Sequence, residues 1–126
     1  MITQDWFMRQ IEMMGRALAK LIFNKDTTEY AIIDYQQLKE TDIIHNELLA
    51  LINEGKLNEA ENLLFEKIYA ELEENPDKKE YLEVAIDFYA RLNELSNKIL
   101  DECGFERDEI NEGMREVADI YGINII

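Results

Sequence analysis

Charged residues recur near the start of the chain at Asp5, Arg9, Glu12, Arg16 and Lys20, in steps of 4, 3, 4 and 4. That spacing puts them on one narrow stripe of a helix running from about Gln4 to Phe23. The rest of the segment is apolar, including Trp6, Phe7, Met8, Ile11, Met13, Met14, Leu18, Leu21 and Phe23. About two-thirds of its circumference calls for burial, wider than the ~100° stripe of an ordinary surface helix. A loop follows at Asn24–Thr28, with Asp26 and Glu29 at capping-box spacing.

A short second helix is expected over Glu29–Lys39, with Tyr30, Ile33 (or Ile32) and Leu38 inward and Thr41-Asp42 as cap or kink. A third runs through Ile44, Leu48, Leu51 and Ile52 and stops at Gly55, where a left-handed cap is natural. Asn58 and Glu61 have the cap spacing for a fourth, whose buried face is Leu57, Ala60, Leu64, Ile68 and Leu72. Asn75-Pro76 ends it. Tyr81, Ala85, Phe88, Leu92, Leu95 and Ile99 step by 4, 3, 4, 3 and 4, predicting one long fifth helix over 78–103. At full length it would span about 35–40 Å. A last helix over 108–121 ends at Gly122, and the apolar tail Ile123–Ile126 is expected to dock on the body or a partner. No segment alternates with period two, and no Asn-Gly or Asp-Gly hairpin signal occurs. The pattern is all-α: five to six antiparallel helices in a single domain over 1–126.

Charge sharpens this picture. The 126 residues carry 13 Lys+Arg and 28 Asp+Glu, a net charge of -15. Such a chain repels polyphosphate, which argues against nucleic-acid binding. The imbalance is local: residues 1–25 hold four basic and two acidic side chains (+2), and the remainder holds nine and 26 (-17). With 47% hydrophobic residues, the acidity belongs on the outside of a packed core. One cysteine, Cys103, permits no intrachain disulfide. No uncharged run approaches the ~20 residues of a membrane span, and the charges of the N-terminal segment do not fit a signal peptide. A cytoplasmic setting is the expectation.

Gly55-Lys56-Leu57-Asn58-Glu59-Ala60 resembles the turn and second-helix start of a tetratricopeptide hairpin, where Gly ends one helix and a small Ala lets the next pack closely. Leu64 follows at the expected bulky position, whereas Ile44 and Leu48 stand where Trp and a small residue are usual. The resemblance implies one degenerate TPR-like repeat over 42–76 within a TPR-like array. Asp5-Trp6-Phe7-Met8-Arg9-Gln10-Ile11-Glu12-Met13 is similar to the opening of a family of small uncharacterised Firmicutes proteins, which implies a bacterial protein and no particular activity.

Catalytic chemistry has little to stand on. His45 is the single histidine, with Asp42 three residues before it. A di-iron bundle needs two Glu-x-x-His pairs and two further carboxylates, so His45 reads as a partly exposed polar helix residue. Cys103, at the end of the long seam, reads as a small buried apolar group. A calcium loop framed on Asp101 fails at Cys103, Phe105 and Glu106. No catalytic residue, metal ligand or cofactor site is expected, and the chain reads as non-enzymatic. The best functional candidate is the N-terminal helix, with Trp6, Phe7 and Arg9 as the partner interface. The leading expectation is protein–protein interaction or homo-oligomerisation, with basic peptide segments as suitable partners for the acidic faces. The alternatives are a membrane-surface protein tethered by residues 1–25 and, behind it, a metal or cofactor carrier.

Overall fold

The computed structural model describes residues 4–124. Among them are six helices and no strand: α1 (Gln4–Phe23), α2 (Glu40–Asn53), α3 (Leu57–Glu74), α4 (Glu80–Glu94), α5 (Asn97–Glu102) and α6 (Arg107–Ile120). The organising element is α4. From Tyr81 to Asn93 almost every residue is buried, as expected of a helix enclosed on all sides. The antiparallel pair α2–α3 packs on it from one side and the pair α1–α6 from the other.

The α2–α3 hairpin forms as its sequence predicts. Gly55 takes a φ of +77°, a conformation that costs a Cβ-bearing residue energy, and the Lys56 N–H donates to the Leu51 carbonyl at 2.9 Å. Ala60, Leu64 and Ile68 are fully buried. The expected Asn58 cap is not used: the cap position is Lys56, and Asn58 Nδ2 reaches the Gly104 carbonyl.

Two elements differ from expectation. Residues 24–39 form no helix and cross the body as an extended strap. Asp34 turns the chain locally, accepting the Gln36 N–H on Oδ1 (2.9 Å) and the Gln37 N–H on its carbonyl (3.3 Å). The Tyr30 N–H donates to Asp87, which ties the strap to α4, and the adjacent β-branched Ile32 and Ile33 add no helical preference. Of the residues expected inward, Tyr30 and the alternative Ile32 are half-buried, but Ile33 is 87% exposed and Leu38 is exposed.

The long fifth helix is also interrupted. Leu95 leaves helical geometry with ψ of 145°, and the Ser96 hydroxyl accepts the Ile99 N–H at 3.2 Å to start α5. Arg107, buried at the start of α6, donates to the freed Asn93 and Leu95 carbonyls at 2.7 and 2.5 Å. Periodicity ran unbroken through a break that a serine cap and a distant arginine impose. The tail docks on the body as far as it is described: the Ile123 N–H donates to the Ala118 carbonyl, and its side chain packs on the core. Ile125 and Ile126 lie outside the described residues.

Helix α6 meets α4 at Gly113. A Cβ there would lie 2.4 Å from the Tyr89 hydroxyl oxygen, on a ring that is fully buried and bonded to Glu61 at 2.6 Å. Gly113→Ala is therefore expected to lower stability by about 2 kcal/mol through overpacking, against the ~1 kcal/mol that Ala normally gains over Gly in a helix. Denaturant midpoints of the two proteins check this.

Candidate functional site

The apolar run of α4 is interrupted by one carboxylate, Asp87, which is buried. A carboxylate in that position must be hydrogen-bonded on both oxygens. Oδ1 accepts the Tyr30 N–H of the strap at 3.0 Å, and Oδ2 accepts Arg91 Nε at 2.7 Å from one turn along α4. Oδ2 also lies 2.7 Å from His45 Nε2 of α2. An ionised carboxylate only accepts, so Nε2 is the donor in this contact. Burial by itself would raise the Asp87 carboxyl, but the His45, Arg91 and Tyr30 hydrogen bonds outweigh it and hold it below its ordinary range.

His45 is thus buried, not partly exposed as its sequence context suggested. Its ring lies 4.7 Å from that of Tyr30, tilted by 33°. Nδ1 is buried without a hydrogen-bond partner among the described residues. Asp42 shares the helix but turns elsewhere: Oδ1 accepts the Tyr30 hydroxyl at 2.5 Å and Oδ2 the Lys39 N–H at 2.9 Å. The Tyr30 hydrogen bond is the main cause that holds the Asp42 carboxyl low. Among the described residues, no group of three or more His, Cys, Asp or Glu side chains is placed to hold a metal ion.

The same pairing recurs. Tyr89 donates to Glu61 at 2.6 Å, Tyr121 to Glu71 at 3.1 Å and Tyr81 to Glu40 at 3.2 Å. Burial beside an anion pushes the phenols of Tyr30, Tyr81, Tyr89 and Tyr121 up. Burial raises the Glu61 and Glu71 carboxyls, with Glu109 and Glu116 adding to the effect at Glu61. Glu71 also accepts the Tyr81 N–H at 3.4 Å, so a side chain of α3 caps the first turn of α4.

Clefts open on the surface of the described residues. The first, of about 310 Å³, has Lys39, Lys67 and Lys78 facing Glu40, Glu71 and Glu80. A second, of about 300 Å³, lies between Phe7, Phe105 and Arg107, and a third, of about 280 Å³, lies over Gly15 between α1 and α4. Neither His45 nor Asp87 lines any of them. Their contact joins the strap and α2 to α4 and is not presented to a ligand in these clefts. Cys103 is half-buried, against the α2–α3 turn at Gly55.

Helix α1 buries Ile11, Met14, Gly15, Leu18 and Ala19 and turns other apolar residues out. Trp6 is 42% exposed, Met13 63% and Leu21 69%. Spaced by seven and eight residues, they follow one line along the outer face, with half-buried Gln10 and Ala17 between them. Asp5, Arg9, Glu12, Arg16 and Lys20 run alongside, and Arg16 pairs with Glu12 at 2.9 Å. Of the three residues singled out from sequence, Trp6 and Arg9 lie on this exposed side. Phe7 leans inward, half-buried, its ring edge-on to Trp6 with centroids 5.1 Å apart. Met13 and Leu21 were missed because an apolar helix with one charged stripe reads as all core on its remaining sides. Asp87 carried a signal, a lone acid inside an apolar run.

Two substitutions test the buried carboxylates. Asp87→Ala leaves the Tyr30 N–H and His45 Nε2 without an acceptor, an expected loss of about 3 kcal/mol at neutral pH. Because the folded carboxyl titrates below its ordinary 3.8, that advantage is present above this value and lost as pH falls through the depressed one. Denaturation midpoints of both proteins at pH 7 and under acid measure it. Glu71→Gln has the opposite sign. A raised carboxyl stabilises the fold below the ordinary 4.5 and loses that contribution as pH rises through the folded value. Gln keeps an acceptor and carries no charge, so the difference in midpoint is expected to move in its favour from pH 4 to pH 7.

Among the described residues no helix is long and apolar enough to cross a membrane. No curated protein and no solved structure matches the chain. A family does match, over residues 1–122, and the protein accordingly belongs to the Family of unknown function (DUF6483).

Proposed function

We propose that this protein works by binding another protein through the outer face of α1, as a non-enzymatic TPR-like scaffold of the bacterial cytoplasm. The observation that carries the reading is the line of Trp6, Met13 and Leu21 left in water by a helix whose opposite face is fully packed. Met13 and Leu21 add little to the packing where they stand, and the Trp6 ring meets Phe7 edge-on. Met and Trp suit interfaces because one adapts its shape and the other buries a large rigid area. The α2–α3 hairpin, with its Gly55 turn and buried Ala60, supports the TPR-like description.

A photo-crosslinking side chain placed at Met13 or Leu21 in the native cell tests the reading. Covalent adducts with polypeptide are expected at both positions and not at exposed Glu54 on the α2–α3 turn. Adducts with lipid would replace the reading with a membrane-surface role, and no adduct at either position would overturn it.

A further inference from the structure

The charges beside the α1 line identify what covers it. Resting on the interaction reading above, we infer that the outer face of α1 pairs antiparallel with the same face of a second copy of this chain. The exposed line runs through positions 6, 10, 13, 17 and 21, close to the 4-3 spacing at which two helices interlock. It is also nearly symmetric about its middle. A two-fold axis between residues 13 and 14 places residue i level with residue 27 - i of the other copy. Trp6 then meets Leu21 of the second copy, Gln10 meets Ala17, and the two Met13 side chains share the centre.

The charged stripe follows the same symmetry. Glu12 comes level with position 15 of the second copy, about 1.5 Å along the axis from its Arg16. Asp5 comes level with position 22, about 3 Å along the axis from the other Lys20. Both pairs form twice, once in each direction; Arg9 comes level with position 18, about 3 Å along the axis from the other Arg16 and Lys20, so the closer Glu12–Arg16 pairs carry the complementarity. In a parallel pair the two stripes would lie on opposite sides of the seam and form no cross-pairs, so Glu12 and Arg16 favour the antiparallel arrangement. An anionic lipid surface would meet Asp5 and Glu12 as well as the bases.

Beyond residue 25 each body carries -17; Asp26 lies 3.6 Å from Lys20 of its own chain beside the stripe, while α4 and α6 pack on the opposite, buried face of α1. Over distances beyond the ~8 Å Debye length at physiological ionic strength the repulsion of the two bodies is largely screened. One helix face per copy puts the contact at the small end of specific interfaces, below about 1,200 Å² in total, so the dimer is weak and reversible.

Sedimentation of the purified full chain over a concentration series tests the inference, with circular dichroism to check folding. The unmodified protein is expected to dimerise, more tightly as salt is added from low ionic strength because the bodies repel. Met13→Asp is expected to abolish the dimer. Glu12→Arg alone and Arg16→Glu alone are each expected to weaken it about tenfold or more. Mixed in equal amounts, these two variants are expected to associate with each other, since both cross-pairs between positions 12 and 16 then join opposite charges. Both lack the Glu12–Arg16 pair within the helix, so recovery in the mixture reports contact between chains. A monomer at every concentration, a dimer that survives Met13→Asp, or no recovery in the mixture would each overturn the inference. If the chain is monomeric yet position 13 still crosslinks to a different polypeptide, self-pairing falls and the interaction reading stands. If neither occurs, both fall.

Discussion

Asp87 sits in the middle of the one helix that all four larger neighbours touch, and it binds three of the structure's parts together. Its oxygens take hydrogen bonds from the strap at Tyr30, from α2 at His45 and from α4 itself at Arg91. Burying a carboxylate costs several kcal/mol unless each lone pair is engaged, so the charge tolerates few other arrangements of these groups. The path of the strap follows. With the Tyr30 N–H on Asp87 and its hydroxyl on Asp42, residues 24–39 are held across the body. The outward turn of Ile33 and Tyr35 is the other side of that attachment.

With 28 acids and 13 bases, the chain cannot pair every carboxylate with a cation. Tyrosine takes up part of the task. A phenol offers one O–H donor on a large apolar ring, so it can fill core volume and reach a carboxylate at its edge. Tyr30, Tyr81, Tyr89 and Tyr121 do this for Asp42, Glu40, Glu61 and Glu71. The arrangement leaves most lysines and arginines on the surface. Arg107 is the exception, and there the guanidinium serves carbonyls released at the end of α4, not an acid. Its charged head is positioned by a helix break, which makes the break and the arginine parts of one local solution.

The legible part of the proposed interaction surface was its helix and not its residues. Trp6 and Arg9 stand on the exposed side of α1, while Phe7 turned towards the cleft beside Phe105. Met13 and Leu21 are more exposed than Trp6. An apolar side chain looks the same in a sequence whether it meets its own core or another molecule, and α1 has enough of both to hide the division. His45 was misread for the reverse reason. Its partner is 42 positions away on another helix, and nothing nearby in sequence reports the hydrogen bond that allows its burial.

Sequence by itself determined the helical class, the hairpin at Gly55, the acidic exterior and an N-terminal helix unlike the rest. These follow from periodicity, turn chemistry and charge count, which act over a few residues or over the whole chain at once. Tertiary structure decided that residues 29–39 are a strap, that α4 and α5 are separate, that His45 is buried and that only part of α1 is core. Each of these turns on a polar partner or a packing face far along the chain. A carboxylate buried against Tyr30 and His45, or a carbonyl taken by Arg107, outweighs a local helical preference worth only tenths of a kcal/mol per residue.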